Sequence, residues 1–251
     1  GVFAHQHLAA GPVFHFGTGE QKAEFLLPAL RGERIGAFGL TEPDAGSDIR
    51  GIKTTARADG GDFVLNGSKL YITNGSIADF ILVAARTGEG RTAGALSMFI
   101  VDTRDPGVVA RELDKVGNHS SSTCFVSLED VRVPARRVLG ELGRGLGQLK
   151  ETLTEGRILV ANRGLGLAQQ AFELILRYAG ERRAFGVTIG TFQGVAFKIA
   201  AMAAQVDAVR LMIYRAARLR MAGRDCVREA SMAKYLASEA AVRFTSESLL
   251  L

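Results

Sequence analysis

Around Pro134 the hydrophobic pattern of this chain changes period, and that change narrows the folds open to it. Ahead of it lie short apolar or alternating runs at 51–59, 62–66, 80–85, 96–102, 108–113 and 124–128, several bounded by glycine. Runs of this length rich in Val, Ile, Phe and Thr predict β-strands, and Gly60-Gly61 can take the positive φ angles of a tight hairpin turn. Beyond Pro134, residues 142–179, 192–222 and 227–251 repeat their apolar side chains every three or four positions, which predicts three long helices. Gly223 is placed to stop the second and Asp225 to cap the third. Gly164 and Gly166 lie inside the first, where each glycine costs about 1 kcal/mol against alanine, so they predict a close helix crossing. Residues 3–31 also read as helical, interrupted at Pro28. Strands followed by helices give an α+β class: a small antiparallel β-sheet or barrel, then a C-terminal helical bundle, with a remnant of an N-terminal helical domain. The expected boundaries are 1–35, 36–137 and 138–251.

Composition excludes several functions. Apolar residues are 47% of the 251 and charged residues 23%, enough for a substantial core in one or two domains. No run approaches the roughly 18 to 20 uninterrupted apolar residues of a membrane-spanning helix. The first residues lack a basic segment followed by an apolar one, so no secretory signal is expected, and Gly1 in place of methionine is expected of a start that is not native. Cys124 and Cys226 show no CxxC or Cys/His ligand spacing and read as buried thiols in a reducing compartment. The surplus of +5 is spread along the chain without a nucleic-acid-binding module, which leaves a solvated face or an anionic ligand such as a dinucleotide or coenzyme A. His119 has no neighbouring nucleophile, and His5, His7 and His15 lie in another element, so all four are read as structural and no metal site is expected.

Two segments carry the chemistry. Gly39-Leu40-Thr41-Glu42-Pro43-Asp44-Ala45-Gly46-Ser47-Asp48 and Asn66-Gly67-Ser68-Lys69-Leu70-Tyr71-Ile72-Thr73-Asn74-Gly75 both adjoin strand-like sequence and offer hydroxyls, glycines and free backbone N–H groups. Those groups suit a planar polar ring system and a phosphate. Later come Leu153-Thr154-Glu155-Gly156-Arg157-Ile158 inside the first long helix, and Glu181-Arg182-Arg183-Ala184-Phe185-Gly186 with Phe192-Gln193 in the loop before the second. In this order the segments resemble the acyl-CoA dehydrogenase family over nearly the whole chain.

The resemblance implies FAD as cofactor. Phe38, Leu40 and Thr41 would line the isoalloxazine, Gly46 and Ser47 would approach phosphate, Tyr71 would stack with Ile72 beside it, and Thr73 would bond near N5. Arg182, Phe185 and Gln193 would reach the adenosine diphosphate half of a flavin held by a neighbouring subunit, which implies a homo-oligomer, a dimer of dimers. Ser47, Thr154 and Arg157 would contact the acyl-CoA. Tyr71 stands where the family often has Trp, Thr154 where it has Asp or Asn, and Ala184 where it has Thr.

The activity implied is oxidation of the Cα–Cβ bond of an acyl-CoA thioester to the trans-2-enoyl-CoA, with hydride passed to flavin N5 and electrons to electron-transfer flavoprotein. A bacterial cytoplasmic or mitochondrial-matrix location is expected. The family's usual glutamate base would lie beyond Leu251, and its alternative position is occupied here by Gly156. Glu155 is rotated about 100° from that position around the helix and is not assigned the role. The catalytic residue is therefore left unassigned, and the chain is expected to be part of a longer polypeptide. An acyl-CoA oxidase, or a non-catalytic FAD-binding subunit of a hetero-oligomeric dehydrogenase, are the alternatives.

Overall fold

The computed structural model describes residues 1–89 and 95–250, so the expected helix end at Leu251 lies outside the described residues. The chain forms two compact units, Gly1–Thr152 and a second from Leu153 onward.

The first unit opens with helical pieces rather than one helix. Wide π-type turns cover Ala4–Ala10 and Lys22–Leu26, between and after which come α1 (Gly11–Phe16), α2 (Gly19–Gln21) and α3 (Leu27–Leu30). The interruption falls at Gly17 instead of Pro28. Thr18 Oγ1 accepts the Gln21 N–H at 3.2 Å while Gln21 Oε1 accepts the Thr18 N–H at 3.1 Å, a reciprocal cap that starts a new helix. Pro28 does not break the helix: it sits where the π-type turn Lys22–Leu26 passes into α3, and the helical run continues to Leu30.

Eight strands follow: β1 (Gly36–Gly39), β2 (Thr55–Asp59), β3 (Asp62–Thr73), β4 (Phe80–Arg86), β5 (Leu96–Asp102), β6 (Val108–Glu112), β7 (Thr123–Pro134) and β8 (Val138–Leu139). They form one sheet in the order β6-β7-β3-β2-β4-β5-β8, with β1 added on β4. Gly60 and Gly61, at φ 60° and 91°, close the expected hairpin between Asp59 and Asp62. The pairing departs from the antiparallel expectation in two contacts, both on β4: β1 runs parallel to β4, and β2 meets β4 in parallel at Thr55 and Arg86. β3 also continues past Asn66 to Thr73 through Gly67, whose φ of 152° and lack of Cβ let it pass Thr54.

β4 is buried on both faces, which explains its unbroken apolar run. Phe80, Leu82 and Ala84 pack with Met98 and Ile100 under the helical pieces through Val13, Phe25 and Ala29. Ile81, Val83 and Ala85 join Phe99, Leu65, Ile72, Val126 and Val133 in a second core, so the sheet curls until β3 and β7 face β4 and β5. His5 fastens the helical pieces to the sheet: its Nε2 lies 3.1 Å from the Ala29 carbonyl, and its Nδ1 accepts the Gly36 N–H at 2.9 Å.

α4 (Gly145–Glu181) enters the second unit, which also holds α5 (Gln193–Met221) and α6 (Val227–Ser248). Their core is built largely from small side chains, Ala161, Ala168, Ala230, Ala233, Ala237 and Ala240, around Met202, Ile213 and Phe244. A Cβ on Gly164 would stand 2.9 Å from the Ala237 carbonyl oxygen, so the close crossing of α4 and α6 is real there. Gly166 faces open space and takes no part in it. α5 ends as expected: Gly223 has φ 66°, its N–H bonds the Arg220 carbonyl, and the Arg224 N–H bonds the Leu219 carbonyl, the Schellman pattern. Cys226 occupies the cap position of α6, and Asp225 Oδ1 accepts the Val227 N–H from one residue earlier. Both cysteines are free and buried. Among the described residues no helix is long and apolar enough to cross a membrane.

Candidate functional site

β1 alternates its side chains, so Ala37 points into the second core while Phe38 and Leu40 lie half-buried on the opposite face, against the first. Past Leu40 the chain turns. Glu42 and Ala45 exchange main-chain hydrogen bonds of 2.8 and 3.2 Å, and the turn leaves Gly46 and Ser47 exposed, with no atom within 4 Å of where a Gly46 Cβ would stand. The two sequence segments then meet directly: the Leu70 N–H donates to the Thr41 carbonyl at 2.8 Å.

At that meeting point β3 is irregular. Its register against β7 shifts between Lys69 and Ile72, so Leu70 and Tyr71 together oppose one residue, and Tyr71 is held at φ 59° and is 66% exposed. Left-handed backbone is costly for an aromatic residue, about 1–2 kcal/mol, and such strain gathers where a side chain must be aimed. Ile72 is committed to the second core, so a ligand contact from it would come through its main chain. Thr73, half-buried, closes the strand.

A buried ion pair lies directly beneath this junction, and the sequence reading had not singled out either partner. Lys69 is wholly buried, and its ammonium donates to Glu42 Oε1 at 2.7 Å, to the Ala84 carbonyl at 2.7 Å and to the Leu40 carbonyl at 3.4 Å. Ala84 stands where β4 changes partner from β1 to β2, and the ammonium supplies a donor to its carbonyl there. Glu42 in turn accepts the Thr54 N–H at 3.0 Å, the Thr54 hydroxyl at 2.5 Å and the Lys53 N–H at 2.6 Å. Burial pushes the Lys69 ammonium down to about 8 against the pull of Glu42. Burial alone would raise the Glu42 carboxyl, but the Lys69 charge and the hydrogen bonds from Lys69, Thr54 and Lys53 hold it below the usual carboxylate range. The sequence carries no signal for the pair: Glu42 stands in a polar turn-forming run and Lys69 follows Asn66-Gly67-Ser68, where charges ordinarily face solvent.

In the second unit, the segment after α4 is a hairpin rather than an open loop. β9 (Arg183–Ala184) pairs antiparallel with β10 (Val187–Thr188), and Phe185 and Gly186 form its tip at φ 53° and 83°. Phe185 is 96% exposed there, with its ring edge-on to Phe192 at 6.3 Å. Arg182 and Gln193, at the two ends of this connection, are exposed as well. Thr154 is buried and Arg157 half-buried along α4. Glu155 is engaged elsewhere, its Oε1 accepting Arg220 Nε at 2.8 Å.

The first unit thus presents threonine hydroxyls and main-chain N–H groups near an outward-facing aromatic ring and an uncrowded glycine turn, groups suited to a planar polar ring and a phosphate. The second presents an exposed arginine fork that can bind phosphate oxygens in pairs. Known proteins resemble this chain over nearly its whole length. The family described as acyl-CoA dehydrogenase, middle domain, matches residues 37–131, and that described as acyl-CoA dehydrogenase, C-terminal domain, matches residues 143–251. A probable acyl-CoA dehydrogenase of Bacillus subtilis, YngJ, is 43% identical over 96% of this chain. Butyryl-CoA dehydrogenase from Megasphaera elsdenii superposes with a TM-score of 0.95 at 39% identity over 99% of the chain. The FAD complex of PigA superposes with a TM-score of 0.96 at 30% identity, again over 99%. The chain spans 64%, 66% and 65% of the length of these three proteins respectively.

Proposed function

This chain belongs to the acyl-CoA dehydrogenase family, and from that premise we propose that it binds FAD and serves the α,β-dehydrogenation of an acyl-CoA thioester to the trans-2-enoyl-CoA. The observation that carries the reading is the junction of the two motifs, where the bond from Leu70 to Thr41 sets the strained, outward Tyr71 beside the end of β1. When bound, FAD supplies a hydride acceptor at N5.

The chain's own residues then have these proposed tasks. Phe38, Leu40 and Thr41 line the ring, Tyr71 covers it, and Thr73 offers a hydroxyl near N5, supported by the main chain of Ile72. Gly46 and Ser47 present main-chain N–H groups to phosphate. Arg182, Phe185 and Gln193 serve a flavin held by a second copy, in keeping with their exposure on and beside the hairpin. Ser47 in the first unit, and Thr154 and Arg157 in the second, are the proposed acyl-CoA contacts. Stacking and exclusion of water make the weakly acidic α proton removable by a carboxylate. That carboxylate comes from a segment other than 153–158, since Gly156 offers none and Glu155 is tied to Arg220. Butyryl-CoA dehydrogenase among the similar structures supports a short acyl chain, and electron-transfer flavoprotein is the proposed acceptor. The boundaries at 35/36 and 137/138 are kept as the proposed domain division.

The absorption spectrum of the purified protein tests this reading. A flavin spectrum that bleaches on anaerobic addition of a short acyl-CoA is expected, and a protein that takes up no FAD overturns it. Gly156 and the engaged Glu155 favour one second reading, a subunit that binds FAD without performing the chemistry. A flavin spectrum unmoved by every acyl-CoA in a panel would select it.

A further inference from the structure

The Glu42–Lys69 pair lies beneath the segments assigned to the flavin without itself being exposed to any ligand. Exchanging a buried ion pair for apolar side chains of similar volume is often neutral or stabilising, so stability alone does not account for one placed here. What the pair does hold together is specific. From Lys69 it reaches Leu40 and Ala84, and from Glu42 it reaches Lys53 and Thr54, so the end of β1, the turn at 42–45, the approach to β2, the irregular stretch of β3 and the middle of β4 share one network. Lys69 also anchors one side of the irregular stretch, and buried Ile72 anchors the other. Between those anchors Leu70 bonds Thr41, and Tyr71 is turned outward at φ 59°.

We propose that Glu42 and Lys69 are positioning residues for the cofactor: their ion pair fixes the end of β1 against the outward turn of β3, and so sets where Thr41 and Tyr71 meet the flavin ring. This rests on the FAD-binding reading above. The pair acts through its neighbours and touches no reacting atom. Its two formal charges cancel, so its effect is on geometry more than on the field at the ring.

The test uses the full-length holoprotein and the double variant Glu42→Gln/Lys69→Met, which removes both charges together and leaves neither unpaired. Three quantities are read: thermal midpoint, the dissociation constant for FAD, and the fluorescence of the bound flavin, which a stacked tyrosine quenches. The positioning role predicts a folded double variant whose FAD affinity falls by about tenfold, the scale of one lost ordered contact, and whose flavin emission rises toward that of Tyr71→Leu. A double variant with wild-type FAD affinity and emission overturns the proposal while leaving the FAD reading intact. Wild-type protein that binds no FAD overturns both. If the double variant does not fold, Thr54→Val carries the test, since it removes only the hydroxyl bond to Glu42 and keeps the side-chain shape. It is expected to shift affinity and emission in the same direction by a smaller factor, and no shift in either overturns the proposal.

Discussion

The two units hold their functional segments in opposite ways. In the sheet unit the motif residues stand on a buried ion pair, Glu42 with Lys69, and elsewhere in the unit buried Asp102 pairs with half-buried Arg34 and exposed Arg104. In the helical unit the core is apolar, many alanines packed around Met202, Ile213 and Phe244, and the Arg182–Gln193 connection carries its aromatic tip in the open. The difference teaches that one motif rests on an interior ion pair within its own unit, whereas the other sits on an exposed hairpin turn.

Removing an interior charge should therefore produce the largest effect. Lys69→Met leaves the Glu42 carboxylate buried without its cation, and about 3–5 kcal/mol of stability should be lost. Hydrogen exchange would show that loss as deprotection of β1 to β4, and a change spread evenly over both units would break the contrast.

Asp102 should come next. Its carboxylate accepts Arg34 Nη2 at 2.8 Å, Arg104 Nε at 2.9 Å and the Arg104 N–H at 3.0 Å, and the Arg104 bonds outweigh burial to hold its carboxyl well below the usual range. Asp102→Asn is expected to cost about 1.5–3 kcal/mol, the scale of hydrogen bonds to a charged group. Glu42 and Asp102 are both depressed, so below about pH 4 the unfolded chain binds more protons than the folded one. Their contribution is complete at neutral pH and is lost as pH falls through the depressed folded values. Urea unfolding across that range should show a shallower acid slope in Asp102→Asn, and an unchanged slope would remove Asp102 from the account.

The helical unit should be sensitive to volume instead of charge. Gly164→Val presses side-chain atoms toward the Ala237 carbonyl, and overpacking of this kind costs about 1–3 kcal/mol. Deprotection confined to α4 and α6 is expected, with FAD content unchanged. Smallest is Phe185→Gly, which relieves a left-handed aromatic residue that is almost fully exposed and should change stability by no more than about 1 kcal/mol. FAD retention by the oligomer should nevertheless fall, and full retention would count against the proposed service to a second copy.

Local pattern accounts for what could be read without coordinates. Gly60-Gly61 and Gly223 announced their turns because positive φ is a property of one or two residues, and β4 and β5 announced themselves by length and apolar content. β1 was not legible as a parallel partner of β4, since four residues with glycine at both ends carry no period and the partner lies more than forty positions away. The run of β3 through Gly67 was hidden for a related reason: a glycine in a strand reads as a stop until Thr54 is seen packed against it. Among the candidate residues, Thr41 and Tyr71 in the first unit and Arg182 in the second were legible as members of motifs, whereas Glu42 and Lys69 were not singled out, because a charge is assigned to solvent until its partner is known.

By itself, then, the sequence determined the succession of sheet and helices, the tight turns and the motif residues, all of which depend on side chains close together along the chain. Tertiary structure alone decided that β1 would lie parallel to β4, that the two motifs would meet through Leu70 and Thr41, and that Lys69 would be buried with Glu42. These last are contacts between distant segments, and a buried charge becomes tolerable only when folding delivers its counter-charge and every remaining hydrogen-bond partner to the same place.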